Sequence, residues 1–248
     1  MTQITSPTRL KQGIEHLSEQ GFSLFSILDY AALPATIQAT IPIATLAVED
    51  EALPARILLL GHGGKQLWRA MERANAFTAD DPVDTFSINT TRHFLDHYLG
   101  SPPSLFLYPT ADIIVPLQQL GTLAGWHQPS PLGIGMNEEF GLWWAYRTAV
   151  YIRADLPITK QALPELSTCG QCVDKTCVLA CPATAVRAAE PLDFPACMAL
   201  RLRPQSICAS QCVARRACPI APEHEYTTAQ MAHHYQSSLT TLRGWNVK

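Results

Sequence analysis

Cysteine is missing from 198 of the 248 residues, because all eight cysteines fall between Cys169 and Cys218. Charge is also scarce. Asp, Glu, Lys and Arg make up 16% of the chain, against about 25% in a typical protein. The net charge is −3, so the chain lacks the basic excess that drives binding to a phosphate backbone, and nucleic acid is not an expected partner. No apolar run approaches the roughly 18 residues that cross a bilayer, so no membrane association is expected. Met1–Gly13 is polar and lacks the apolar centre of a secretion signal, which gives the expectation of a cytoplasmic protein. In a reducing compartment clustered thiols bind metal or carry redox chemistry. At 47% apolar residues a largely disordered chain is excluded, and the length fits one large domain or a medium and a small one.

The pattern along the chain places the cysteines in a domain of their own. Leu10, Ile14 and Leu17 recur at helical spacing between Pro7 and Gln20, and Gly21 is placed to stop that helix. Phe22–Leu28 reads as a strand. Arg56–Leu60 reads as a short buried strand entering a tight turn at Gly61-His62-Gly63-Gly64. A helix from Lys65 would put Leu67, Met71, Ala74 and Phe77 on one face, and another spans about Asp84–Leu99. Ser104–Tyr108 suits a strand, Val115–Ala124 a short helix and Trp143–Arg153 a long strand. This alternation predicts a layered α/β domain over 1–155. A linker over 156–168, a cysteine domain over 169–222 and a C-terminal helix over 223–248 follow, the helix packing through Met231, Tyr235, Leu239 and Leu242.

The cysteines form two groups of four. The first is Cys169-x2-Cys172-x4-Cys177-x3-Cys181-Pro182, and the second is Cys197-x10-Cys208-x3-Cys212-x5-Cys218-Pro219. Two-cluster bacterial ferredoxins use C-x2-C-x2-C-x3-C-P runs in which the final cysteine of each run ligates the other cluster. The spacing here is looser, but the total of eight and both Cys-Pro endings are kept. Three close thiolates on a loop face one iron–sulfur cube, and the fourth, before a proline, points away. Cys169, Cys172, Cys177 and Cys218 are therefore assigned to one [4Fe–4S] cluster, and Cys181, Cys197, Cys208 and Cys212 to the other. Two zinc sites would also use eight cysteines, although zinc modules favour two separated short-spaced pairs per site. Disulfides lack a secretory context. The 50-residue window holds six Lys/Arg against three Asp/Glu, an excess of +3 beside −6 for the remainder, and cations near a cluster raise its reduction potential.

The stretch Thr168-Cys-Gly-Gln-Cys172, then Cys181-Pro-Ala-Thr-Ala-Val186, the lone Cys197 and the second Cys-Pro resembles the ferredoxin module of epoxyqueuosine reductases and related corrinoid-dependent reductases. Upstream, Ala124-Gly-Trp126, Leu132-Gly-Ile-Gly135 and Glu139-Phe-Gly-Leu-Trp-Trp144 resemble what precedes the clusters in those enzymes. With Asp81-Pro-Val-Asp84, the same region is similar to the vitamin B12 decyanase and trafficking family. The resemblance spans roughly residues 55–220. It implies a nitroreductase-like α/β domain that holds cobalamin, followed by a small two-[4Fe–4S] ferredoxin-like domain that feeds it electrons. An electron donor such as a flavodoxin or a ferredoxin reductase, and a small-molecule or corrinoid substrate, would be the partners. The sequence departs from the reductases at Pro219-Ile-Ala-Pro222 and carries no counterpart of their helical-repeat extension. Asp112 stands one position from their proton-donating aspartate and is not assigned that role, so catalytic residues stay unassigned.

Cofactor contacts are expected from Gly61, Gly63, Gly64, Trp126, Gly135 and Trp144. The glycines lie between a strand and a helix, where backbone N–H groups can hold a phosphate or a corrin side chain, but a tight turn that needs glycine accounts for them equally. The tryptophans read equally as core. His93 and His97 are four apart on a helix with no third metal ligand visible, so packing or surface roles are favoured. Glu223-His224-Glu225 and His233-His234 read as solvated. The expected function is an iron–sulfur oxidoreductase relaying electrons to a cofactor in the N-terminal domain. A non-catalytic ferredoxin-type electron carrier, or a B12-handling accessory protein, are the other readings.

Overall fold

Ser6 accepts a hydrogen bond from the Arg9 N–H at 3.2 Å, and Pro7 presets its own φ, so the chain becomes helical at once. The structure, a computed structural model, describes residues 6–41, 52–110, 114–160 and 167–246. Helix α1 covers Pro7–Glu19, and Gly21 beyond it adopts φ +88°. Strand β1 (Leu24–Asp29), a 3-10 turn at Tyr30–Ala32 and the short α2 (Ala35–Gln38) follow. Next come β2 (Ala55–Gly63), α3 (Gln66–Arg73), α4 (Pro82–Leu99), β3 (Ser104–Tyr108), α5 (Leu117–Leu123) and β4 (Trp144–Arg153). The strands form one sheet in the order β1-β2-β4-β3, with every pair antiparallel. The architecture is mixed α/β around this small sheet.

Leu10 and Leu17 of α1, Met71 of α3 and Phe94 of α4 pack in one core with Leu58, Leu60, Val150 and Ile152 of the central strands. Thr91 and Thr148 share a buried hydroxyl contact at 3.1 Å that joins α4 to β4. Differences from the sequence reading have local causes. Strand β2 continues through Gly61-His62-Gly63 because β4 reaches back to Trp144 opposite Gly63, so the turn is confined to Gly64, at φ +62°, and Lys65. A Cβ on Gly61 would come within 3.0 Å of the Ala145 carbonyl, which accounts for glycine inside a strand. Helix α3 stops at Arg73, and Asn75 turns left-handed at φ 50°, so Ala74 and Phe77 leave the expected stripe; Trp68 and Ala70 are buried instead. Phe77 rests against the Trp68 ring at 4.5 Å.

By its contacts the chain falls into two units, Met1–Gly125 with Trp144–Leu163, and Trp126–Trp143 with Pro164–Lys248. This division differs from an unbroken first domain over 1–155. The segment 126–143 joins the cysteine region because the Gln128 side chain accepts the Thr168 N–H at 2.8 Å, and because Gly141 lies so close to Ile220 that a Cβ would sit 2.5 Å from its carbonyl oxygen. Within the expected linker, Leu156 is buried and Thr159 exchanges two hydrogen bonds with Ile27, at 2.9 and 3.0 Å, so this part is fastened to β1. Residues 161–166 of that linker lie outside the described residues.

The second unit is built from short pieces: α6 (Thr168–Gln171), α7 (Thr176–Leu179), α8 (Phe194–Arg201), α9 (Val213–Arg216), a 3-10 turn at Pro222–His224 and α10 (Thr228–Asn246). Its core is small, with Leu132, Met136, Leu142, Val186 and Ala214 buried together. On α10, Met231, Leu239 and Leu242 are buried, and Tyr235 is partly buried against Trp143, Tyr226 and Met231.

Gly21 combines a left-handed backbone with a space that a Cβ would fill at 2.4 Å from the Leu67 backbone. Gly21→Ala is expected to lose roughly 2–5 kcal/mol, from the strained φ plus the overlap. Gly244→Ala, inside α10 with nothing within 4 Å of the added methyl, is expected to gain up to about 1 kcal/mol. Denaturant midpoints of the two variants check both signs.

Candidate metal centre

All the cysteines but Cys208, which lies in a turn, are set by a cap or a helix end. The Ser167 hydroxyl accepts the Gly170 N–H at 3.2 Å and starts α6, which carries Cys169; Cys172 ends it. Lys175, at φ 44°, starts α7, which carries Cys177. The Thr176 hydroxyl donates to the Ala217 carbonyl at 2.6 Å, drawing Cys218 beside α7. Cys169, Cys172, Cys177 and Cys218 thus line one cavity of about 20 Å³, with Lys175 and Thr176 on its wall. The Lys175 ammonium donates to the Cys169 carbonyl.

The other four cysteines surround a second cavity, of about 190 Å³. Cys181 follows the end of α7, and Asp193 caps α8, which carries Cys197, by accepting the Ala196 N–H at 3.0 Å. Cys208 is buried, and Cys212 caps α9, its Sγ accepting the Arg215 N–H at 3.4 Å. Leu132, Val186, Leu192 and Leu200 supply apolar wall. All eight thiols are free of disulfides. Among the described residues no three His, Cys, Asp or Glu side chains converge on a point where a single metal ion would sit; each set of four thiols surrounds a void.

Burial pushes the Cys169 thiol up to about 11, and the neighbouring Cys218 and Cys177 add to it. Burial also raises Cys177, Cys197, Cys208 and Cys218, and in each case a second cysteine of the same ring contributes. A ring of thiolates therefore needs positive charge beside it.

Three side chains at the larger cavity escaped the sequence reading as site residues. Arg201 donates to the Cys208 carbonyl at 3.3 Å and lies over the Tyr235 ring at 5.0 Å. Arg215 donates twice to the Leu142 carbonyl, at 3.1 and 2.6 Å, and its guanidinium lies 4.4 Å from the Trp143 ring and 4.8 Å from that of Tyr226. Tyr235, from α10, lines the cavity, is hydrogen-bonded to Arg215, and interacts electrostatically with Cys212; burial raises its hydroxyl well above the ordinary phenol range. Spacing offered a signal for two of them, because Arg201 follows Cys197 by one helical turn and Arg215 follows Cys212 by three residues. Tyr235 carried only a packing signal.

The expected cofactor contacts divide between the units. Gly61 and Gly63 are strand residues, and the Gly63 N–H is taken by the Ser23 hydroxyl at 2.7 Å. Trp144 is Gly63's register partner and lies edge-on to Tyr146 at 4.8 Å, and Gly64 forms the turn. Trp126 and Gly135 belong to the second unit, where the Trp126 carbonyl accepts the Asn137 amide at 3.1 Å. Asp112 lies outside the described residues. Asp84 sits 3.9 Å from Arg147, the residue left over at the β2–β4 bulge; burial raises its carboxyl while Arg147 opposes that. His16 joins His93 at 4.9 Å between ring centres, with His97 4.1 Å from His93. Glu225 is not simply solvated, because it takes Arg216 at 2.7 Å, and His224 meets the Phe140 ring at 4.9 Å.

No protein-family model matches this chain, and no curated protein matches it. Solved structures do. An epoxyqueuosine reductase determined with an epoxyqueuosine-modified tRNA-Tyr stem loop is similar over 90% of this chain and 68% of its own, at 13% identity and TM-score 0.57. The epoxyqueuosine reductase of Bacillus subtilis is similar over 88% of this chain and 66% of its own, at 11% identity and TM-score 0.53. This chain thus spans about two thirds of the length of those reductases. The B12-trafficking protein CblC of C. elegans is similar over 96% of both chains, at 14% identity and TM-score 0.51. At these identities what is shared is the fold, and this chain folds like both groups.

Proposed function

We propose that the chain is an iron–sulfur oxidoreductase. Each ring of four thiols would hold a [4Fe–4S] cluster, and the N-terminal α/β unit, layered as in nitroreductases, would hold a cobalamin that the electrons reach. The observation that carries this reading is the grouping of the thiols. Cys218 lies with Cys169, Cys172 and Cys177, and Cys181 with Cys197, Cys208 and Cys212, as exchange of the last ligand between two ferredoxin-type runs requires. The donor set fits: four thiols per ring, backbone N–H groups on the sulfurs of Cys177, Cys218, Cys208 and Cys212, and cationic side chains to offset thiolate charge. The larger cavity has the room, and the smaller requires its cysteine side chains to rotate outward.

When bound, the clusters supply one-electron storage. The chain's own residues fix and shield them: Cys208 is buried, and the Arg215 N–H bonds Cys212 Sγ. The electron source would be a flavodoxin- or ferredoxin reductase-type partner. A second reading has an observation of its own. The likeness to CblC covers 96% of both chains, which favours a protein that handles or reduces B12 for another enzyme. Turnover of epoxyqueuosine-modified RNA or of a small molecule by the reconstituted chain supports the reductase reading. Tight corrinoid binding without turnover supports the accessory one.

Protein purified without oxygen is expected to be brown and to hold about eight iron and eight sulfide per chain. Colourless protein with zinc would overturn the cluster assignment. Adding cobalamin is expected to shift its visible spectrum, and no shift with no binding would remove the corrinoid clause. Cys197→Ser is expected to cost the second cluster alone, read as a halving of iron.

The raised thiols also set a pH dependence. A cysteine whose folded pKa exceeds its unfolded value contributes stability below the unfolded pKa, and that contribution is lost as pH climbs through the folded one. Cluster-free protein is therefore expected to lose stability from about pH 8.5 towards 11. Unfolding midpoints across that range, compared with the loaded protein, check the sign.

A further inference from the structure

We infer that the ring of Cys181, Cys197, Cys208 and Cys212 holds the higher-potential cluster of the two, set there by Arg201, Arg215 and Tyr235. This inference rests on the two-cluster reading. Four arginines of the second unit fall into two pairs. Arg187 is tied to Glu190 and Asp193 at 2.7 and 3.0 Å, and Arg216 to Glu225 at 2.7 Å, so their charges are spent on carboxylates. Among the described residues Arg201 and Arg215 form no ion pair. Both line the larger cavity, and their donors go to neutral groups: the Cys208 and Tyr235 carbonyls and the Ser238 hydroxyl for Arg201, and the Leu142 carbonyl and the Tyr235 side chain for Arg215. Two positive charges without a carboxylate partner thus face one ring, with Tyr235 on the same cavity wall.

Among the described residues the smaller ring has one cation on its wall, Lys175. Hydrogen bonding to sulfur does not separate the rings. Val178 and Ile220 bond Cys177 and Cys218 in one, and Val213 and Arg215 bond Cys208 and Cys212 in the other. Charge is the difference that remains. Adding an electron makes a cluster more negative, so nearby positive charge favours the reduced form. The first electron taken from dithionite therefore settles on the ring that faces both arginines.

The test is a potentiometric titration followed by electron paramagnetic resonance, with iron counted in every sample. At a fixed potential, Arg201→Gln is expected to cut the reduced-to-oxidised ratio of the higher-potential cluster about tenfold, a downward shift of about 59 mV for one electron. Arg201→Lys restores most of it. Tyr235→Phe keeps the ring and its packing and moves the same couple the same way by less. Lys175→Gln moves only the lower couple. A displacement of the lower couple by Arg201→Gln, or unmoved couples in variants that keep about eight iron, overturns the inference alone. Wild-type protein that binds no iron removes the two-cluster reading and the inference together.

Discussion

Four thiols around one cavity repel each other as they ionise, and burial makes each charge costlier still. Most of the second unit can be understood from that constraint. Burial holds Cys169 up at about 11 and raises four more of the eight, so the protein alone keeps these sulfurs protonated at neutral pH. A positive centre that accepted all four would turn them into ligands, and its binding would release protons and add folding energy. The scarcity of charge elsewhere becomes informative here, because the cations beside the rings are drawn from a chain with few to spare.

The same constraint explains the irregularity of that unit. Helices α6, α7 and α9 are four residues long, far below the length at which a helix persists alone. Five buried side chains form the main core. Side-chain caps on Ser167, Asp193 and Cys212 define where the short helices begin, and one of these caps is itself a candidate ligand. A segment this thin in apolar contacts is one that cross-links would stabilise, and the proposed clusters would supply them through the eight thiols in place of a larger core. The first unit has the opposite economy, with continuous burial from Ile57 to Leu60 and from Ala149 to Ile152, and no cysteine.

What was legible in the sequence follows the range of the forces involved. Periodicity and caps are local, so α1, α4, all four strands and the α10 stripe could be read with ends displaced by a few residues. The extent of β2 was not legible, because a strand through Gly61 and Gly63 depends on their distant partners in β4, Tyr146 and Trp144. Nor was the attachment of Trp126–Trp143, which rests on Gln128 meeting Thr168 and Gly141 meeting Ile220. At the site, cysteine spacing carried the grouping because ligand geometry constrains short loops. Arg201 and Arg215 stayed hidden because an arginine's partners, a carboxylate or a carbonyl, are decided by tertiary contacts. Tyr235 was visible only as part of an apolar stripe, and its hydroxyl gave no pattern at all.

Sending Cys177 and Cys181 to different rings requires a break between them. Residues four apart on a continuous helix lie on one face, so an unbroken α7 would point both sulfurs into the same cavity. The helix ends at Leu179 instead. Pro182 enforces this twice: it has no N–H to continue the ladder, and it disfavours helical backbone at the residue before it, which is Cys181. Cys218 repeats the arrangement, because α9 ends at Arg216 and Pro219 follows the cysteine. Each Cys-Pro is therefore a device for handing one thiol across, and Thr176 bonded to Ala217 at 2.6 Å holds the second of these, Cys218, beside the start of α7. Each ring thus draws three cysteines from one run and one from the other, and the two runs must both be folded before either ring has all four of its thiols.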